Sequence, residues 1–391
     1  MNPRSKAYTR WLLGLVAVIG LAARLWTLAH LDPGVICFHD FPPLYASARL
    51  LGTPDLYSPG ANQRLIRDVA GCVSQPAIAS LRPPFVAAMM WPFARLPLPT
   101  AVLAWGIFSL LALACFLWLW PAPKLAAITV VCWSLPISAA LTQGQDTILL
   151  LLWVGIAAAL LGRGRDFAAG LVLSLCAAKF HLFLLLPVLL LGRRLWHAGY
   201  GMLAGGCVLA AISFGLGGVH WPSQFLTVAL DSRINPHPWL MPNLHGMLYG
   251  AAGGGAAEAA LSVLVAAMVW YIARNAASLQ IALAAALVGG LLTSHHAYLP
   301  DAVLLLPASL TVGFAAQTRW LRILAVLVML PVLYFLQAFP VLIFVPPAAI
   351  LLLLIGLFRE VWRKPSAKKA AADFHTVRPE GTSDLAANLP G

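Results

Sequence analysis

Apolar residues run through this chain in long blocks separated by short polar gaps. The blocks cover roughly residues 11–29, 99–120, 125–141, 146–161, 167–178, 182–191, 199–218, 256–273, 278–292, 301–315, 320–337 and 341–358. A helix of about 20 apolar residues crosses the hydrocarbon core of a bilayer. Backbone polar groups have no water to bond there, so each block must satisfy its own amides and fold as a helix. The pattern predicts an all-α polytopic membrane protein with about 12 transmembrane helices. The blocks 167–178 and 182–191 are each too short to span alone. The spacing predicts two short helices meeting near Ala178–His181, an arrangement that in membranes lines a cavity.

Composition agrees with this pattern. The chain has 391 residues, 61% hydrophobic and 10% charged, with mean hydropathy +0.85. A soluble domain carries roughly 25% charged residues. The formal net charge of +12 would suit nucleic acid. However, the cations sit at the ends of apolar blocks rather than along one polar face, so nucleic acid is excluded and membrane lipid takes its place. Arg163, Arg165, Arg193, Arg194, Arg274, Arg319, Arg322, Arg359, Arg363 and Lys364 punctuate alternate gaps. Under the positive-inside rule this places both termini in the cytoplasm of a bacterial inner membrane. Asp32, Asp40, Asp55, Asp68, Asp146, Asp231 and Asp301 then fall on the outer, periplasmic side.

The first apolar block follows Arg4, Lys6 and Arg10 and ends at Arg24-Leu25-Trp26 without a small-residue cleavage site, so it reads as an uncleaved helix. Residues 1–360 form the membrane domain, with long periplasmic loops at 30–98 and 219–255, and 361–391 form a disordered cytoplasmic tail. Within the first loop, Pro83–Pro97 reads as re-entrant or interfacial. Cys37 and Cys72 share that loop, and two readings stand for them: a disulfide or unrelated thiols.

Candidate chemistry gathers on the outer side. Asp40, in Phe38-His39-Asp40-Phe41, is a carboxylate among aromatics and suits a general base, or else a helix N-cap. Arg82, Lys179 with His181, and His295-His296 lie at outer helix ends, where cations can hold a phosphate and snorkelling is the plain alternative. Gln145 and Asn243 offer amides suited to sugar hydroxyls. Asp146 and Asp301 read as acids complementing helix dipoles, and Glu258 as an acid facing the bundle. Trp26, Trp91, Trp221 and Trp239 fit an interfacial aromatic belt. His39, His181, His295 and His296 show no metal-ligand spacing, and without an Asp-x-Asp pair no metal or other cofactor is expected.

Five motifs in order carry a resemblance. They are Asp40-Phe-Pro-Pro-Leu-Tyr45-Ala-Ser-Ala-Arg49 with Gly52-Thr-Pro-Asp-Leu-Tyr57-Ser-Pro59; Arg82-Pro-Pro-Phe through Leu96-Pro97; Gly144-Gln145-Asp146; Lys179-Phe-His181 before Pro187; and Asn243-Leu-His-Gly246 with His295-His296. Over residues 11 to 340 the chain resembles family 87 glycosyltransferases, GT-C fold enzymes that include polyprenol-phosphate-mannose-dependent α-mannosyltransferases. The resemblance implies a GT-C-type bundle with a long first periplasmic loop. It implies transfer of a hexose, mannose foremost, from a polyprenyl-phosphate donor to a glycolipid or glycan acceptor, with inversion. Asp40 would be the catalytic base, and Tyr45, Arg82, Gln145, Lys179, His181, Asn243, His295 and His296 would bind substrate. Arabinose, glucose and galactose stay open as the sugar. A lipid-linked glycan flippase and a polysaccharide polymerase or ligase stay open as alternatives.

Overall fold

The structure, a computed structural model, describes residues 3–29, 40–70, 81–231 and 237–363. Cys37 and Cys72, and the tail from 364, lie outside the described residues. The helices are α1 (Pro3–Ala29), α2 (Phe41–Arg49), α3 (Pro59–Ala70), α4 (Pro84–Ala94), α5 (Leu98–Leu119), α6 (Lys124–Trp133), α7 (Leu135–Thr142), α8 (Thr147–Leu161), α9 (Asp166–Ser174) and α10 (Leu186–Arg193). They continue with α11 (Trp196–Gly217), α12 (Trp221–Ala229), α13 (Leu244–Leu248), α14 (Gly254–Asn275), α15 (Leu279–Thr293), α16 (Leu306–Ala315), α17 (Arg319–Leu327), α18 (Pro331–Phe335) and α19 (Val345–Arg363). Every predicted apolar block falls on helix. The stretch after Arg82 is likewise helical, as α4.

Four helices among the described residues are long and apolar enough to cross a membrane: Leu98–Leu119, Trp196–Gly217, Gly254–Asn275 and Pro340–Arg363. Two bent pairs raise this to six, α6 with α7 at 67° and Arg319–Leu327 with Pro331–Ala338 at 68°. The protein is thus a helical membrane protein with four to six candidate spans, fewer than the dozen expected. The difference lies in length, because other apolar helices, among them Thr147–Leu161, Leu279–Thr293 and Leu299–Ala315, are shorter than a full span. Leu330 is extended before Pro331, which lacks an amide hydrogen, and Ser134 is extended ahead of Leu135-Pro136, so two apolar blocks fold as bent pairs. Ser134 caps the second half of the first pair by accepting from the Ile137 amide.

Only 17% of the apolar window of α11 is buried within the protein. Leu203, Val208 and Ile212 stand exposed on it, as do Leu103, Leu110 and Leu111 on α5. An exposed apolar surface of this extent is stable only against lipid. Where helices do meet, small residues bring the backbones together. A Cβ on Gly170 of α9 would lie 2.0 Å from the Ala198 carbonyl oxygen, and one on Gly201 of α11 would lie 2.1 Å from that of Phe167.

The block 167–191 divides as expected. Helix α9 passes into a 3-10 turn, Leu175–Leu182, in which Lys179 leaves helical geometry at φ −131°, ψ 58°. Helix α10 then restarts with Pro187 in its first turn. The break packs on α15, where only glycine fits: a Cβ on Gly290 would sit 2.1 Å from the Leu182 carbonyl oxygen.

Candidate active site

The turn joining α7 to α8, Gln143-Gly144-Gln145-Asp146, organises the site. Gly144 has φ +66°, and a Cβ there would lie 2.7 Å from the Cβ of Phe41. Its carbonyl accepts from Trp105 Nε1 at 2.9 Å. The neighbouring Gln143 carbonyl accepts from the backbone amides of Asp40 and Phe41, at 3.0 and 3.2 Å. The start of α2 is therefore hung on this turn. Phe41 packs near Trp105, ring centroids 6.0 Å apart. Replacing Gly144 with Ala imposes a left-handed backbone cost of about 1–2 kcal/mol and a steric clash that displaces Phe41. The expected outcome is a lowered melting temperature, measured by thermal unfolding of the purified variant.

Asp40 occupies the N-cap position of α2, yet its side chain makes no capping bond. Gln145 Nε2 donates to its Oδ2 instead. Asp40 keeps an accessible face although protein surrounds it on its other sides. Burial raises its carboxyl above the ordinary carboxylate value, outweighing the opposite pull of the Lys179 charge, the Gln145 hydrogen bond and the Arg82 charge.

Behind Gln145 lies a compact charge cluster. Lys179 Nζ reaches Gln145 Oε1 at 2.7 Å, Asp301 Oδ1 at 2.6 Å, Thr147 Oγ1 at 3.1 Å and Asp146 Oδ1 at 3.3 Å. Arg82 grips Asp146 with both prongs of its guanidinium, Nε to Oδ2 at 2.6 Å and Nη2 to Oδ1 at 3.0 Å. Tyr57 fixes the Arg82 backbone by donating to its carbonyl at 2.8 Å. Asp301 Oδ2 accepts from the Tyr298 amide at 3.0 Å, and Thr147 donates to Asp301 Oδ1 at 3.2 Å. Gln145, Asp146, Thr147, Lys179 and Asp301 are all buried. Each cation thus already has a carboxylate. The break at Lys179 explains how an ammonium lies so deep, since a regular helix would have carried it elsewhere.

The sequence candidates divide into three groups. Asp40, Arg82, Gln145 and Lys179 come together in one network. His181 and His296 pack beside each other with ring centroids 5.8 Å apart, and His181 Nε2 is buried with no hydrogen-bond partner. Tyr45, Asn243 and His295 are engaged elsewhere. The Tyr45 hydroxyl donates to the Leu96 carbonyl at 2.7 Å and accepts from Arg49. Asn243 caps α13 through the Gly246 amide and donates to the Ser294 carbonyl, both at 2.8 Å. His295 turns outward to Glu258. Asp146 and Asp301, read from the sequence as dipole acids, are instead the counter-ions of the site. Their role was invisible because each partner lies far along the chain, Lys179 being 122 residues from Asp301.

Together these groups provide an accessible carboxylate, an amide relay and a neutralised polar floor. They can take a proton from a hydroxyl and stabilise charge developing nearby. One family model, that of glycosyltransferase family 87, matches residues 81–307. That range includes the turn at 143–146, the break at Lys179 and Asp301, and it leaves Asp40 and Tyr45 outside. Comparison with curated proteins and with solved structures returned no match.

Proposed function

This chain belongs to glycosyltransferase family 87, and we propose that it transfers a hexose, mannose foremost, from a polyprenyl-phosphate donor to a glycolipid or glycan acceptor at the periplasmic face of a bacterial inner membrane. The bundle is of GT-C type with N- and C-termini cytoplasmic. The observation that carries this reading is Asp40: accessible on one side, crowded on the others, and tied through Gln145 to the buried Lys179. A carboxylate made more basic by its surroundings is a better general base. It removes the acceptor's hydroxyl proton as that oxygen attacks the anomeric carbon and the lipid phosphate departs with the bonding electrons. Attack opposite the leaving group converts a β-linked donor into an α-linked product.

The unpartnered nitrogen of His181 is the group best suited to meet the phosphate, with His296 beside it. Arg82 and Lys179, each already paired with an acid, hold the floor of the site and stabilise developing charge without offering a bare cation. No metal or other cofactor enters this transfer.

The test is direct. Purified protein in nanodiscs is supplied with radiolabelled polyprenyl-phosphate-mannose and a panel of lipid and glycan acceptors. Transfer of label to an acceptor supports the reading. Absence of transfer from any polyprenyl-phosphate sugar overturns it, and transfer only of preassembled glycans reassigns the chain as a ligase. Protonated Asp40 cannot act as base, so kcat/KM should rise with pH and level off above the Asp40 transition. That transition is expected above the ordinary value of 3.8 for an aspartate. A pH–rate profile whose acidic limb lies at or below that value would refute the base assignment.

A further inference from the structure

Three side chains outside the Asp40 cluster converge from three parts of the chain. They are His245 on α13, Glu258 near the start of α14, and His295 just after α15. His245 Nδ1 lies 2.9 Å from Glu258 Oε2, and His295 Nδ1 lies 3.5 Å from Glu258 Oε1. The two imidazole centroids are 3.9 Å apart. One ligand atom from each residue lies within 4.8 Å of the other two.

We propose that His245, Glu258 and His295 bind one divalent transition metal, Zn2+ by the chemistry of the donors. Zinc takes nitrogen and oxygen ligands at about 2.0–2.2 Å in a tetrahedron, which sets neighbouring donors about 3.4 Å apart. The separations in the cluster need only small side-chain adjustments to reach that value. Charge favours the same occupant. Two imidazole nitrogens face the two oxygens of one carboxylate. A dication satisfies both nitrogens and the carboxylate together. Two imidazoles and one carboxylate also suit zinc better than magnesium or calcium, which prefer oxygen.

The backbone is already arranged for such a site. Asn243, two residues before His245, donates to the carbonyl of Ser294, one residue before His295. Asn243 and Ser294 are both fully buried, so the two histidine-bearing segments are pinned to each other before any metal arrives. The His295 side chain remains 70% exposed, which leaves an open position for water as a fourth ligand. His296, the next residue, turns inward against His181 and Tyr298. The metal would therefore act as a clip on the loop that carries the inner histidine and leads to Asp301. This inference does not depend on the sugar chemistry proposed above.

The experiment uses tag-free, full-length protein in detergent, stripped with EDTA, re-equilibrated with Zn2+ and desalted, with zinc measured by mass spectrometry. About one zinc per chain is expected, and Co2+ should give visible absorption bands of tetrahedral type. His245→Ala, Glu258→Gln and His295→Ala should each weaken Zn2+ binding at least about tenfold, whereas His197→Ala should not. His295 is exposed, so its replacement leaves the fold intact and isolates the ligand effect. His295→Cys, which supplies a different zinc ligand, should restore retention. Failure to retain zinc, or retention that none of the three variants weakens, overturns the proposal.

Discussion

Asp40→Asn is expected to lower kcat by about 10²–10⁴-fold, the usual contribution of a general base. The donor KM should stay close to its starting value. The substitution keeps the size and hydrogen-bonding reach of the side chain, so Gln145 can still donate to it and the start of α2 can still hang from the Gln143 carbonyl. What disappears is the ability to accept a proton. The prediction separates chemistry from architecture, because thermal stability should change little while turnover collapses. A single-turnover assay with labelled donor would read the chemical step directly. Turnover within a few-fold of the parent enzyme would remove Asp40 from the mechanism and move the search for a base to Asp146 or Asp301. Both of those carboxylates are tied up in ion pairs.

The largest stability effect is expected at Lys179. Lys179→Met preserves the aliphatic bulk and removes the ammonium, leaving Asp301 and part of Asp146 buried without their partner. Breaking one side of a buried ion pair costs about 3–5 kcal/mol. The penalty lies mainly in the stranded charge, so it should be relieved by neutralising that charge. Lys179→Met combined with Asp301→Asn should therefore be more stable than the sum of the single effects predicts, with a coupling of about 0.5–3 kcal/mol. Thermal unfolding of the two single variants and the double variant in detergent gives the measurement. Strict additivity would mean that the pair contributes nothing as a pair. Both variants should be poorly active, since Gln145 loses the ammonium that holds its oxygen while its amide reaches Asp40.

Much of this molecule was legible before any coordinates. Lipid imposes helix on every long apolar block, so the positions of helices follow from hydropathy alone. The interruption at Lys179 was visible as well, because a lysine between two short apolar runs flanked by arginines is poorly placed in a continuous span. Arg82 and Lys179 stood out because ionisable groups are costly at that depth, Asp40 as a carboxylate among aromatics, and Gln145 as an amide suited to hydroxyls. Partners were another matter. Nothing local marks Asp301 as the counter-ion of Lys179, or Glu258 as the meeting point of two histidines. Tyr45 and Asn243 had suitable chemistry for a substrate, but their polar atoms are spent on backbone groups. Those pairings are properties of the assembled bundle. The number of spans was also beyond hydropathy, since several apolar blocks fold as helices of only 10–17 residues.

The turn at 143–146 has a further implication, which concerns time. Through Asp40, Arg82, Lys179 and Asp301, the five residues from Gln143 to Thr147 bond to segments 105, 64, 34 and 154 residues away along the chain. Contacts of such long range form late, because the chain between them must first be ordered. During synthesis the stretch reaches the bilayer well before residue 301 has been made. Until then Lys179 lacks its shortest ion-pair partner, and the turn is an incomplete hub. The Asp40 cluster is therefore among the last parts of the protein to come into being, and a chain cut short before Asp301 would hold Asp40, Gln145 and Lys179 without the partner that completes them.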